Sequence, residues 1–292
     1  MFQLLTDSEC GLSTATLRAH HVAVIPFHFT VNGHTIASDL DDNQQLENFY
    51  AQLQQGVQPS TAAINVGEYV TFFKPYVQAG TPILFMGLSS GLSSSFHNAE
   101  LARDLLLETF PTADIQVVDT LAACAGEGRL ILEASRLQAT GATLAETVAW
   151  LTSHRLRLQQ WFTVDNLNFL YHGGRISRAS ATVGTLFQIK PLLDVDAHGK
   201  LRVVDKIRTR HHALAALSTK VLSALEHDPQ QTVLIATSGD WDAAKWVRDL
   251  ILAQAPQANL QIGPIGPTIA CHTGFGCVAV FVTGPQDRDQ SI

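Results

Sequence analysis

Five serines crowd the run GLSSGLSSSFHN, Gly87 to Asn98, between an apolar stretch and an amphipathic one. A chain leaving a buried strand and entering a helix presents unpaired N–H groups and the positive end of the helix dipole. Ser93, Ser94 and Ser95 can therefore offer hydroxyls and amides to an anion. A plain helix cap and a polar turn account for the same serines equally simply. Arg175, in YHGGRIS, follows a Gly-Gly pair and precedes an expected helix start at Ser177. Its planar fork suits carboxylate or phosphate, although a solvent-paired arginine is the ordinary alternative. In DKIRT an extended backbone puts Lys206 and Arg208 on one face and Ile207 on the other, either as a two-cation face or as a solvated edge. His272 falls with Thr273 in IACHTGFG, on an expected Gly-kinked turn entering a buried strand. There it can donate to an anion, act as acid or base, or simply be a satisfied structural histidine.

The type of anion is narrowed by what surrounds these groups. There is no G-x-x-x-x-G-K-[ST], no lysine in the serine loop and no G-x-G-x-x-G, so a nucleotide phosphate lacks its usual partners. A singly charged carboxylate needs fewer donors. A stand-alone acyl ester hydrolase or transferase using Ser93 and His272 is the rival chemistry, and none of Ser89, Ser90 and Ser93 is expected as a G-x-S-x-G nucleophile. H-E-x-x-H is absent, His20/His21 and His211/His212 fall on helical stretches, and Asp39, Asp41 and Asp42 lack the EF-hand spacing. No metal site is expected.

These residues need elements to hold them. FQLLTD (2–7), HVAVIPFHFTV (21–31), PILFMGLS (82–89) and DIQVVDT (114–120) have strand character, with helical spacing at 44–56, 66–80 and 93–110 between them. Near-continuous apolar strands separated by helices imply a parallel sheet covered on both faces. Helices are expected at 121–139 and 143–161, then a strand at 161–167, and a hairpin over 191–208 turning at Asp196 to Gly199. The expected fold class is α/β: a parallel-sheet α/β N-terminal domain (1–163), an α+β C-terminal domain (164–292), and a cleft between them for ligand.

A chain of 292 residues with 46% apolar and 15% charged residues is globular and long enough for two cores. Its net charge of −7, without a Lys/Arg block, argues against nucleic acid or an anionic membrane as an electrostatic partner. Cys10, Cys124, Cys271 and Cys277 form no C-x-x-C and are expected as free thiols in a reducing cytoplasm. The N-terminus lacks the pattern of an export signal, and no apolar run is long enough to span a bilayer.

Taken in order along the chain, LLTDSECGLS, PSTAAINVGEY, LSSGLSSSFHNA, VVDTLAACAGEG, VDNLNFLYHGGRIS, IKPLL with HGKL and KIRT, and IGPTIACHTGFG resemble the DegV family from about residue 2 to residue 283. The resemblance implies a lipid-binding protein rather than an enzyme, with a long-chain fatty acid held between the two domains. It further implies a FakB-type role. The carboxylate is presented to a separate ATP-dependent fatty acid kinase that makes acyl phosphate for phospholipid synthesis, and this chain has no cofactor or nucleotide site of its own. Contact with a membrane would be transient, and the chain would be a monomer rather than an obligate oligomer. Residue by residue, the family's TSQPS loop matches TAAIN, so Thr61 keeps the carboxylate-binding hydroxyl, while Ala62, Ala63, Ile64 and Asn65 replace the rest. LSGT matches LSSS, giving Ser93 the carboxylate-binding position and placing Ser94 where glycine is usual, a position at which a Cβ tightens the approach of backbone to ligand. Arg175 matches the arginine of GGRIS, Arg208 that of K-x-R, and His272 the histidine of HTGPG, with Phe275 in place of proline. The resemblance assigns the carboxylate to Thr61, Ser93, Ser94 and His272, and the positive potential for phosphate or kinase docking to Arg175 and Arg208.

Overall fold

The computed structural model describes residues 2–38, 41, 43–177 and 189–289. In chain order the first half runs β1 (Gln3–Asp7), α1 (Thr14–Ala19), β2 (Val22–Ile25), β3 (His28–Val31), β4 (His34–Ala37), α2 (Asn43–Gln54), β5 (Ser60–Ala62) and α3 (Val66–Gln78). It continues through β6 (Ile83–Gly87), α4 (Ser95–Thr109), β7 (Ile115–Asp119), α5 (Ala125–Ala139) and α6 (Leu144–His154). The second half runs β8 (Leu158–Thr163), α7 (Asn168–His172), β9 (Ile189–Val195), β10 (Leu201–Arg208), α8 (Arg210–Leu225), β11 (Thr232–Thr237), α9 (Trp241–Gln254), β12 (Asn259–Pro264), α10 (Pro267–Thr273) and β13 (Val278–Thr283).

β2, β1, β6 and β7 form an all-parallel sheet in that order. Alternation divides its side chains between two faces: Leu5, Ile83 and Phe85 pack with Tyr69 and Phe73 of α3 and with Ala99, Ala102 and Leu106 of α4. Leu4, Leu84 and Met86 turn the other way, onto Leu130, Ile131 and Ala134 of α5. Helices on both faces are what lets ILFMG be buried at every residue, as expected for a parallel strand. Asn65 with Glu68 and Thr143 with Glu146 make reciprocal capping boxes that start α3 and α6.

The second sheet has six strands in the order β10-β9-β8-β13-β11-β12, antiparallel except between β11 and β12. α8 and α9 cover one of its faces, through Leu217, Val221, Val247 and Ile251. The opposite face, carrying Phe162, Leu193, Ala279 and Phe281, joins the core shared with α5 and β1. The α/β class, with a parallel and a mixed sheet, is as the sequence implies.

Three local expectations differ from the structure. The stretch 21–31 is two strands rather than one: Pro26, which cannot donate to a ladder, separates β2 from β3, and β3 joins a small antiparallel sheet β4-β3-β5. The helix expected to reach residue 161 ends at His154, because LQQWFT has a two-residue period that buries Leu158, Gln160 and Phe162 on one face as β8. With β8 inside the six-stranded sheet, we propose that the two halves divide in the 155–157 turn rather than at residue 163. His272 and Thr273 close helix α10 rather than lying on a kinked turn, with Gly274 (φ +73°) stopping the helix behind them. The region in which a helix is expected to start at Ser177 continues into residues 178–188, which lie outside the described residues, as do Asp39 and Asp42.

Candidate functional site

The serine loop leaves β6 at its carboxyl end, where open parallel sheets place ligands. Its course is pinned by specific bonds. Leu88 N–H donates to the Asp7 carboxylate (2.9 Å) and Ser89 N–H to the Ala122 carbonyl (2.9 Å). Ser93 Oγ accepts from Ser95 N–H (3.1 Å) and donates to Ser95 Oγ (3.0 Å). Ser95 is buried and accepts in turn from Ile64 N–H (3.0 Å), which ties the loop to the TAAIN segment. A proline at residue 64 would have no such N–H, so the Ile64 departure adds a bond. Ser94 is exposed, with φ −72° and ψ −6°, a conformation open to any residue; no left-handed backbone demands glycine there.

Gly87 to Gly91 does spell G-x-S-x-G, around Ser89 rather than Ser93. Ser89 is fully buried, its Oγ donates to Gly199 O (2.8 Å) and accepts from Gly91 N–H (3.1 Å), and α4 begins only at Ser95. It is a bolt between the loop and the β9–β10 turn, not an exposed nucleophile. Glycine is required on both sides of this joint: a Cβ at Gly91 would press on the Gly199 carbonyl, and one at Gly199 (φ +71°) would overlap Ser89 Oγ.

Thr61 lies in β5, where its backbone pairs with Phe29. Its hydroxyl is 2.9 Å from His272 Nε2. The opposite ring atom, Nδ1, is buried without a hydrogen-bond partner among the described residues, and Gly173 packs so closely against it that a Cβ there would overlap the ring. Burial first, and then the neighbouring Arg175 charge, push the His272 pKa down to about 4, so the imidazole is neutral at pH 7. Arg175 follows Gly174 (φ +71°); its Nε donates to Leu92 O (2.7 Å) and a terminal nitrogen to Gly173 O. It forms no ion pair among the described residues, and burial alone lowers its pKa. No hydrogen bond joins Ser93 to His272 among the described residues, so the Ser–His pair needed by a hydrolase is not assembled here.

Thr61, Ser93, Ser94, Arg175 and His272 all border one cavity of about 240 Å³ between the halves. Its other walls are mostly apolar, Phe27, Leu88, Leu170, Phe162, Leu201 and Phe281 among them, with Gln160, Thr268 and Thr273 as polar members. Ala62, Ala63 and Ser94 are exposed, whereas Phe162, Val195 and Phe281 are buried, so the polar group of residues marks the mouth and the aromatic end the interior. Arg208 is elsewhere: it ends β10 on an exposed face and does not line the cavity. The sequence reading missed the tail walls, because β13 is apolar and buried without alternation and β8 buries Gln160 between Leu158 and Phe162, so which side chains face the cavity follows only from the pairing of the strands. It also missed Arg210, which faces Asp240 (3.2 Å) and Asp165 (3.9 Å) and donates to Gly276 O, holding the glycine loop behind His272.

Among the described residues no cluster of His, Cys, Asp and Glu could hold a metal ion, and no helix is long and apolar enough to cross a membrane.

The profile of the DegV family, described as "Uncharacterised protein, DegV family", matches residues 1–284. The chain belongs to the DegV family. A DegV domain-containing protein of Lactococcus lactis is 37% identical over 99% of both chains, and one of Clostridium perfringens is 33% identical over 97% of both. Among solved structures, the fatty acid binding DegV family protein of Streptococcus agalactiae superposes with a TM-score of 0.85 at 26% identity, covering 98% of this chain and 99% of the other. A DegV family protein of Thermus thermophilus, described for its fatty acid binding, gives 0.82 at 26% identity over 96% and 98%. Fatty acid binding is thus a property described for solved DegV proteins, and this DegV chain presents a cavity with an apolar interior and a polar mouth.

Proposed function

We propose that the cavity holds a long-chain fatty acid, its carboxylate at Thr61, Ser93, Ser94 and His272 beside Arg175 and its tail among the apolar walls. The observation that carries this reading is Arg175, a half-buried guanidinium without an ion-pair partner among the described residues, at the mouth of an apolar cavity. A buried cation of this kind calls for an anion, and an anion with a long apolar tail fits both halves of the site. The fatty acid binding described for the S. agalactiae and T. thermophilus relatives supports it. Burying each methylene contributes about 0.8 kcal/mol, whereas a charge-assisted hydrogen bond adds about 1.5 to 3 kcal/mol against the cost of desolvating the carboxylate. Tail burial therefore sets affinity and the mouth sets orientation.

The finer reading is that the protein presents this carboxylate to a separate ATP-dependent kinase. A carboxylate oxygen attacks the γ-phosphorus, the bond to ADP breaks, and acyl phosphate leaves for phospholipid synthesis. Arg175 would face the incoming phosphate, and Arg208, on the outside, would contribute to docking the kinase. The test is native mass spectrometry and lipid extraction of the purified protein, followed by addition of ATP and the kinase. A protein that carries no fatty acid and takes up no labelled palmitate sinks the binding role; a loaded protein never phosphorylated by the kinase sinks only the presenting role.

A further inference from the structure

Strand register gives the cavity a direction. Thr163 pairs with Val278 near α10, and Gln160 pairs with Phe281 three residues further along, roughly 10 Å deeper. There β8 and β9 part: they pair only at Trp161 with Asp194 and at Phe162 with Leu193. The C-terminal segment fills in beyond, with Gly284 N–H donating to Arg157 O (2.8 Å) and Arg288 N–H to Leu156 O (2.7 Å). Behind this junction lies a second cavity of about 260 Å³ that shares Gln160, Trp161 and Val195 with the first.

Its chemistry is the reverse of the tail walls. Arg288 is 7% exposed, one terminal nitrogen reaches Val195 O (3.3 Å), and Nε and Nη2 have no protein partner among the described residues. Asp196, Asp194, Asp119 and Arg155 are the charges nearest to it, and Asp194 is already engaged by Arg202. Gln160, 2% exposed, accepts from Ala123 N–H (3.0 Å) and makes only a long contact from Nε2 to Leu121 O (3.4 Å).

Resting on the acyl reading above, we propose that Gln160, at the end of the first cavity, and Arg288, behind it in the second, are specificity-determining residues, together a polar floor that sets the longest tail the cavity accepts. A longer tail must push Gln160 off its bonds to Ala123 N–H and Leu121 O and advance toward a guanidinium already buried with unpaired donors, and it returns no hydrogen bond to either, so the gain from a longer tail is cancelled at this depth. Without the floor the tail runs on into the second cavity.

The experiment is competition of saturated fatty acids from twelve to twenty-two carbons against a fluorescent fatty acid, below micelle-forming concentrations. It compares the wild type with Arg288→Met and Gln160→Leu. Wild-type affinity is expected to rise about fourfold per methylene to a turning point and then fall. In the variants the turning point moves at least two carbons longer, and the acid two carbons beyond the wild-type optimum binds at least tenfold tighter than to wild type. Folded variants with the wild-type turning point overturn the floor while leaving fatty acid binding intact. If Gln160→Leu fails to fold because its loop bonds are lost, Arg288→Met decides alone. A wild type that binds no acid of any length overturns the acyl reading itself.

Discussion

The mouth and the interior of the cavity are built from different material. At the mouth, hydroxyls, a neutral imidazole and a guanidinium come from four separate segments, Thr61 and His272 bonded to one another and Ser93 and Arg175 to backbone. In the interior, Phe162, Ala279 and Phe281 stand on neighbouring antiparallel strands. Under the proposed function the first arrangement controls where one charged group lies, and the second how much apolar surface leaves water. The difference implies that orientation and affinity are carried by separate residues, so each should fail independently of the other.

The sharpest break is Ala279→Trp. An indole projecting from β13 into the tail space would displace about four methylenes, and fatty acid affinity should fall more than 100-fold with the fold retained, as read by competition binding alongside circular dichroism. Thr61→Val tests the mouth with an isosteric change. Its expected loss is about tenfold at most, with the tail-length profile unchanged; a loss as large as that of Ala279→Trp would erase the division of labour.

A third comparison sets the mouth against the floor of the parallel sheet, where Asp7, Glu9 and Glu127 are buried together. Desolvation pushes Asp7 up to about 7 and raises Glu9 and Glu127 as well, the opposite direction to His272. An acid whose folded pKa is raised adds stability that is full below its unfolded pKa and is lost as pH climbs through the folded value. The lowered His272 adds stability that is lost as pH falls from about 6.5 toward 4. Three acids oppose one base, so urea unfolding should show stability increasing as pH drops from 7.5 to 5.5, by about 1.4 kcal/mol per pH unit for each proton of net difference. Glu127→Gln should flatten that slope, and His272→Asn should steepen it. The smallest expected effect is that of Arg208→Ala, less than twofold on fatty acid affinity, because this side chain stands outside the cavity; its loss should register only in turnover with the kinase.

Much of this was legible in the sequence because it is local. The all-apolar ILFMG, the Asn65 and Thr143 capping boxes and the glycine-bounded hairpin each depend on residues a few positions apart. The errors arose where local pattern is ambiguous. The segment 143–161 keeps enough apolar residues for a helix, and only pairing with β13 made LQQWFT a strand. Ser89 shows the converse, since its G-x-S-x-G neighbourhood matches a nucleophile pattern and only the Gly199 carbonyl against its hydroxyl reveals a structural bolt.

By itself the sequence determined the α/β class, the family and the chemical identity of the groups at the mouth, because side-chain type and short-range periodicity are written residue by residue. Only the tertiary structure decided that Thr61 and His272, 211 positions apart, share a hydrogen bond, that Arg175 belongs to the cavity and Arg208 does not, and that Gln160 of β8 lines the same cavity as they do. Those outcomes depend on sheet register and on how the two halves close over one another. Such distances are set by the packing of the whole chain, and no short stretch of sequence encodes them.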